Sequence, residues 1–162
     1  MKKFLAALAL GLGLSTPASA GIGTTAGIGS SGSGELTFVA PTLDYRGGGV
    51  LVQLHALDLI GKLPNKYLDL GVGVSGIAFK RKVGADVEGV IMPGGVARIY
   101  TDTGFNALSW NVGAQARFGA EMKQGFGFGV YVVPMLGVSN FSGKVGPSYG
   151  GTLQVSAWIM NK

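Results

Sequence analysis

The chain has 162 residues, enough for one ordinary domain, with 47% hydrophobic residues, only 13% charged and a formal net charge of +5; an average soluble domain carries about 25% charged residues. Glycine fills 30 positions without the G-X-Y period of collagen, and so much apolar sequence excludes a disordered chain. The absence of cysteine removes disulfide frameworks, thiolate metal sites, thiol nucleophiles and a lipoprotein anchor. A single histidine removes a multi-histidine metal centre. The positive excess is too small and too scattered to argue for nucleic acid.

The first element, residues 1–20, reads as a cleavable signal peptide. Lys2 and Lys3 form a positive n-region, Phe4 to Leu14 is an uncharged run, and Ala18-Ser19-Ala20 is a small-x-small cleavage triplet, so the mature domain spans 21–162. The run is too short to cross a bilayer as a helix, which needs about 20 residues. Later uncharged stretches are broken by glycine and by Pro134. If this chain meets a membrane after export, it does so as a closed β-barrel, the other structure that satisfies every backbone group in lipid.

From residue 21 onward the hydrophobic period is two. Ile22, Thr24, Ala26 and Ile28 interleave with glycines, and Leu36, Phe38 and Ala40 alternate with Glu35, Thr37 and Val39. Val50, Val52, Leu54 and Ala56 oppose Gln53 and His55, and Leu68 to Val74 alternates with Asp69, Gly71, Gly73 and Ser75. The pattern is strongest from Leu108 to Met122, where every even position is apolar and no odd position carries an apolar side chain. Phe126 to Val138 and Leu153 to Ile159 repeat it.

Turn signals separate these runs at Ser30 to Gly34, Arg46 to Gly49, Gly61 to Asn65, Lys80 to Asp86, Thr101 to Asn106, Lys123 to Gly125 and Ser142 to Ser148. They predict eight strands, near 21–29, 34–45, 50–60, 66–79, 87–100, 107–122, 125–140 and 149–160. Met92-Pro93-Gly94-Gly95 reads either as a bulge or as a turn that splits the fifth strand. Pro41 and Pro134 pose the same problem, because proline cannot donate to a ladder. No strand-helix-strand spacing occurs, so a parallel sheet is not expected.

The two faces differ in a way that argues against a soluble sandwich. The non-apolar side is mostly Gly, Ser, Asn and Gln, as suits the inside of a narrow eight-stranded barrel. Trp110 and Phe118 share the apolar face eight residues apart, roughly 20 Å along the axis of a tilted barrel, and membrane barrels carry aromatic girdles around an apolar band about 25 Å tall. Phe126 and Phe128, across the next turn, are placed in the girdle with Phe118.

On this signal peptide, strand count, alternation and aromatic placement, the mature chain resembles the small eight-stranded outer-membrane barrels of Gram-negative-type bacteria, the OmpX and OmpA transmembrane-domain architecture. The resemblance implies an all-β, antiparallel, up-and-down transmembrane barrel in the outer membrane. Its partners would be outer-membrane lipids and the barrel-assembly machinery, with no nucleic acid and a monomeric state. One feature departs from the resemblance: such barrels usually finish with an aromatic residue read at assembly, whereas this sequence ends Trp158-Ile159-Met160-Asn161-Lys162, with Trp158 the candidate for a shifted version.

The candidate lumen network is Glu35, Asp69, Glu88, Arg98, Arg117 and Glu121, with acid-base pairing between neighbouring strands expected to involve Arg117 and Glu121. His55 stands on the polar parity, but its neighbours Ala56 and Leu57 supply no His-x-Ser pattern for a lipid hydrolase. Gly47-Gly48-Gly49 and Gly125-Phe126-Gly127 lack the Lys-Ser/Thr of a phosphate loop. Lys80-Arg81-Lys82 reads as a solvated basic turn. The sequence therefore predicts a structural or narrow-channel barrel with no catalytic residues, metal or cofactor. The rivals are an exported soluble barrel or sandwich for a small apolar ligand and a lipid-acting enzyme built on His55.

Overall fold

In a computed structural model of the protein, the described residues are 20–31, 36–39, 41–55, 67–102, 108–124, 126–141 and 143–160. Alternation produces strands almost throughout: β1 (Gly21–Ser31), β2 (Leu36–Val39), β3 (Leu43–Gly47), β4 (Val50–His55), β5 (Tyr67–Gly76), β6 (Phe79–Lys82), β7 (Val87–Asp102), β8 (Leu108–Gln124), β9 (Phe126–Phe141) and β10 (Lys144–Met160). All pairings are antiparallel, and β10 returns to β1 in register from Gly21↔Met160 to Ser31↔Gly150, so the sheet closes on itself. β2 with β3, and β5 with β6, are each one crossing interrupted by a bulge. The result is a closed barrel of eight crossings, the architecture predicted from the sequence. Among the described residues no helix is long and apolar enough to cross a membrane. The proposed signal peptide lies, up to residue 19, outside the described residues.

Register locates the bulges. β1 pairs Gly27 with Val39 but Gly23 with Asp44, a one-residue slip around 40–42. β7 pairs Gly94 with Ser75 but Ile91 with Phe79, a second slip around 77–78. An extra residue resets the inward-outward parity and increases local twist. These slips also accommodate two prolines. Pro41 sits in the first slip. The carbonyl of Ile91 accepts from the Ala78 N–H at 2.9 Å, so Pro93, two residues along, turns its missing donor toward the second. Pro93 is therefore neither a turn nor itself a bulge, and β7 runs unbroken in register with β8. Pro134 aims its missing donor at β8, where the ladder skips between Gln115↔Met135 and Phe118↔Val132.

Two predicted turns are strand instead. Gly143, at φ 81°, reverses the chain tightly, so 144–148 pairs with 137–141 rather than looping. Lys80-Arg81-Lys82 forms most of β6, which pairs with β7. Gly48 and Gly49, at φ 59° and 80°, make the two-residue β3–β4 turn, which demands positive φ at both central positions. That turn, Gly21 and Met160 share one end of the barrel, the terminal end; Ser31, His55 and Asp102, the last residues of β1, β4 and β7, lie toward the other.

Candidate functional site

The faces separate as the alternation requires. On β8, Leu108, Val112, Ala114, Phe118, Ala120 and Met122 are exposed, whereas Asn111, Arg117 and Glu121 are buried. Apolar residues project outward around the wall: Ile22 on β1, Leu43 on β3, Leu54 on β4, Leu70 and Val72 on β5, Ile99 on β7, Leu136 on β9, Leu153 and Ile159 on β10. Contiguous apolar patches on soluble monomers rarely exceed a few hundred Å², and this one encircles the molecule. Phe118 and Phe126 are 46% and 56% exposed toward the terminal end, with Phe128 half-buried opposite Met122. Trp110, half-buried, lies toward the far end between Ile99 and Asn140.

Inside, volume decides which residues fit, because eight strands leave room for little more than their own side chains. Trp158 is 3% exposed and points into the lumen. Its partners in register are Gly23 on β1 and Gly127 on β9, and a Cβ on either would collide with Trp158 atoms. Glycine there vacates the space that the indole fills. The inner position also means that Trp158 does not present its ring on the outer wall as a terminal aromatic signal.

The polar groups of the lumen form three tiers. Nearest the terminal end, Arg46 Nη1 donates to Glu121 Oε1 at 2.7 Å, Tyr131 Oη donates to the same oxygen at 2.7 Å, and Arg46 Nη2 reaches Tyr131 Oη at 3.0 Å. The Arg46 guanidinium lies 3.8 Å from the Trp158 ring centre, close enough for a cation–π contact. In the middle tier Arg117 donates to Gln53 Oε1, and Gln53 Nε2 donates to Asp44 Oδ1 at 3.3 Å. Asp44 also accepts from the Thr25 and Thr42 hydroxyls, and Thr25 reaches Ser156. Toward the far end Arg98 Nη2 meets His55 Nε2 at 3.2 Å. Arginine can only donate, so this nitrogen of His55 is the acceptor. Leu51, Val90, Met92 and Val133 pack with Tyr131 as an apolar plug.

This arrangement corrects the sequence-based network in several places. Arg117 and Glu121 are both inside, but their partners do not come from neighbouring strands: Glu121 of β8 pairs with Arg46 of β3, and Arg117 donates to the neutral Gln53 of β4. Each takes a partner from across the lumen. Glu88 stands on the inner face opposite Glu121 in register and takes its cation, Lys80 at 2.8 Å, from the neighbouring strand β6. Asp69 lies in β5 opposite Tyr100, its side chain outside the described residues, as is Glu35 altogether. Arg98 is inside, with His55 and Tyr100 as partners.

Sequence reasoning missed Arg46, Asp44, Gln53, Tyr131 and Trp158 as members of the network. Arg46 was hidden by the three glycines after it, which signal a turn. A signal existed for Trp158 in its place on the Gln154, Ser156 parity. Among the described residues no group of three His, Asp or Glu side chains is placed to hold a metal ion.

No family model matches the chain. No curated protein matches it either. Among solved structures the chain is similar to Ail, the attachment invasion locus protein of Yersinia pestis, at 13% identity and a TM-score of 0.41, over 88% of this chain and 97% of that one.

Proposed function

We propose that this protein is a bacterial outer-membrane β-barrel with a structural role and no enzymatic activity, delivered by its signal peptide and embedded by the barrel-assembly machinery. One observation carries the reading. The outer wall of the closed barrel is a continuous apolar belt, and among the described residues no charged side chain points from it between the two rims. Water would make such a surface costly, at about 25 cal/mol per Å² of apolar area left wet; hydrocarbon would not. Phe126 and Phe128 on one rim and Trp110 toward the other fit interfacial girdles, whereas Phe118, six residues inward of the Gln124↔Phe126 pair, lies within the belt.

The lumen supports a structural role over a wide channel. Arg117, Tyr131 and Leu51 are each 1% exposed, and Glu121 is 2% exposed, so side chains fill the middle of the tube. His55 supports no catalysis, since Arg98 occupies the nitrogen that a general base would use. The test is fractionation followed by gel mobility. The protein is expected in a detergent-extracted envelope fraction, with different mobility before and after boiling. Recovery from the soluble periplasm without detergent would overturn the proposal in favour of a soluble ligand-binding barrel.

A further inference from the structure

The basic run Lys80-Arg81-Lys82 divides between the two faces of β6. Lys80 lies opposite the buried Val90 and Lys82 opposite Glu88, so both belong to the inner face. Phe79 lies opposite the outward Ile91 and Arg81 opposite Gly89, so these two belong to the outer wall. Val83, in the turn beyond, is on the outer side as well, its Cγ1 standing 3.6 Å from where a Cβ on Gly89 would project. Arg81 is thus flanked along the chain by two outward apolar side chains, Phe79 at 51% and Val83 at 66% exposure. Phe79 continues into the belt through Ile91 and Phe118 in register. Because β6 ends at Lys82, Arg81 stands at the rim of that belt rather than within it.

The charges of this hairpin are unequally matched. Lys80 pairs with Glu88 on the inner face. The exposed Arg81 side chain makes no ion pair or hydrogen bond with any described residue. Its row runs on through Gly89 and Ala120 without an acid, and Asp86 lies in the turn. On the other side β4 begins only at Val50, in register with Gly76, so no described strand covers Arg81 there. A guanidinium stays charged at ordinary pH and offers a planar fork of donors that matches phosphate. Its methylene stem lies readily along apolar surface while the head stays in water. The acceptor that suits a cation set between Phe79 and Val83 is an anion that itself sits on hydrocarbon, the phosphodiester of a phospholipid.

We propose that Arg81 holds the phosphate of an anionic phospholipid at the terminal-end rim, with the lipid's acyl chains against Phe79, Ile91 and Phe118. The proposal rests on the reading of the outer wall as lipid-facing, and adds to it a lipid class and a single anchoring residue.

The test uses the full chain with Ala85→Cys, exposed in the turn, carrying a bimane fluorophore and folded into phosphatidylcholine vesicles. Phosphatidylglycerol or phosphatidylcholine with a nitroxide near the top of one acyl chain is added at equal, low mole fraction. Quenching by the labelled phosphatidylglycerol is expected to be at least about twofold stronger, given the pull of a single cation on anionic lipid. Arg81→Gln is expected to erase the difference, and Lys82→Gln, which removes an inward cation, to keep most of it. Equal quenching by the two lipids, or a preference lost equally in both variants, would overturn the proposal and leave the membrane barrel standing. A bimane at Ala114→Cys checks the underlying reading separately. Both lipids are expected to quench it, and a lack of quenching there would overturn that reading and this proposal with it.

Discussion

Ala114→Arg places a guanidinium on the outer wall at the middle of β8, and the size of its effect separates a lipid-facing belt from a wet one. The apolar run on this strand extends from Leu108 to Met122, with its midpoint at residue 115. Ala114 is one residue from that midpoint, about 2.5 Å along the axis at 3.3 Å per residue and a tilt near 40°. It points outward and is exposed, so no lumen contact is disturbed. An arginine at the midplane of a membrane barrel costs about 2–4 kcal/mol, a factor of about 30 to 900 in the folding equilibrium at 1.36 kcal/mol per decade. On a water-facing wall the same change stays within about ±0.5 kcal/mol, as exposed substitutions generally do. The assay is reversible folding into lipid vesicles across a denaturant series, comparing Ala114→Arg with the parent. A loss below about 0.5 kcal/mol would refute the assignment of the outer face.

Four further outcomes follow from the lumen. Arg46→Met leaves Glu121 buried without its cation and is expected to cost about 3–5 kcal/mol, whereas Arg46→Met with Glu121→Leu recovers most of the loss; denaturant midpoints of the three proteins check this. Arg117→Met, which removes a hydrogen bond to the neutral Gln53, is expected to cost at least about 1 kcal/mol less than Arg46→Met. Gly127→Leu puts a side chain where the Trp158 ring lies, so a destabilisation of about 1–3 kcal/mol or more is expected, together with altered near-ultraviolet dichroism. His55→Ala is expected to leave lipid deacylation at background, before and after substitution; a deacylase activity abolished by it would revive the enzymatic reading.

Much of this fold was legible because one physical variable, the period of hydrophobicity, controls most of it. Along β8 the odd and even positions assign themselves to inside and outside, and Arg117 and Glu121 follow as lumen groups. Legibility fails where the parity is reset or the chain reverses in fewer residues than its composition suggests. The slip around 40–42 puts Asp44 and Arg46 on the inner face although Leu36 and Phe38 share their even numbering. Ser142 to Ser148 has the composition of a loop, yet a single glycine makes the turn. Inner apolar residues such as Leu51, Met92 and Val133 carry no local sign that they plug a lumen, because their role depends on which residues face them across the tube. For the same reason a sequence can show that Glu121 needs a cation but not that Arg46, on a strand across the barrel, provides it.

The proposed contact of the outer wall with lipid is tested most directly by site-directed spin labelling, for which the cysteine-free chain is already suited. Single cysteines at Val112, Ala114 and Ala116, with Lys144 as a rim reference, would carry a nitroxide in the protein folded into lipid bilayers. The expected result is high collision frequency with oxygen and low collision frequency with a water-soluble nickel chelate at the three β8 positions, and the reverse at Lys144. Nickel accessibility at Val112, Ala114 and Ala116 equal to that at Lys144 would contradict the account.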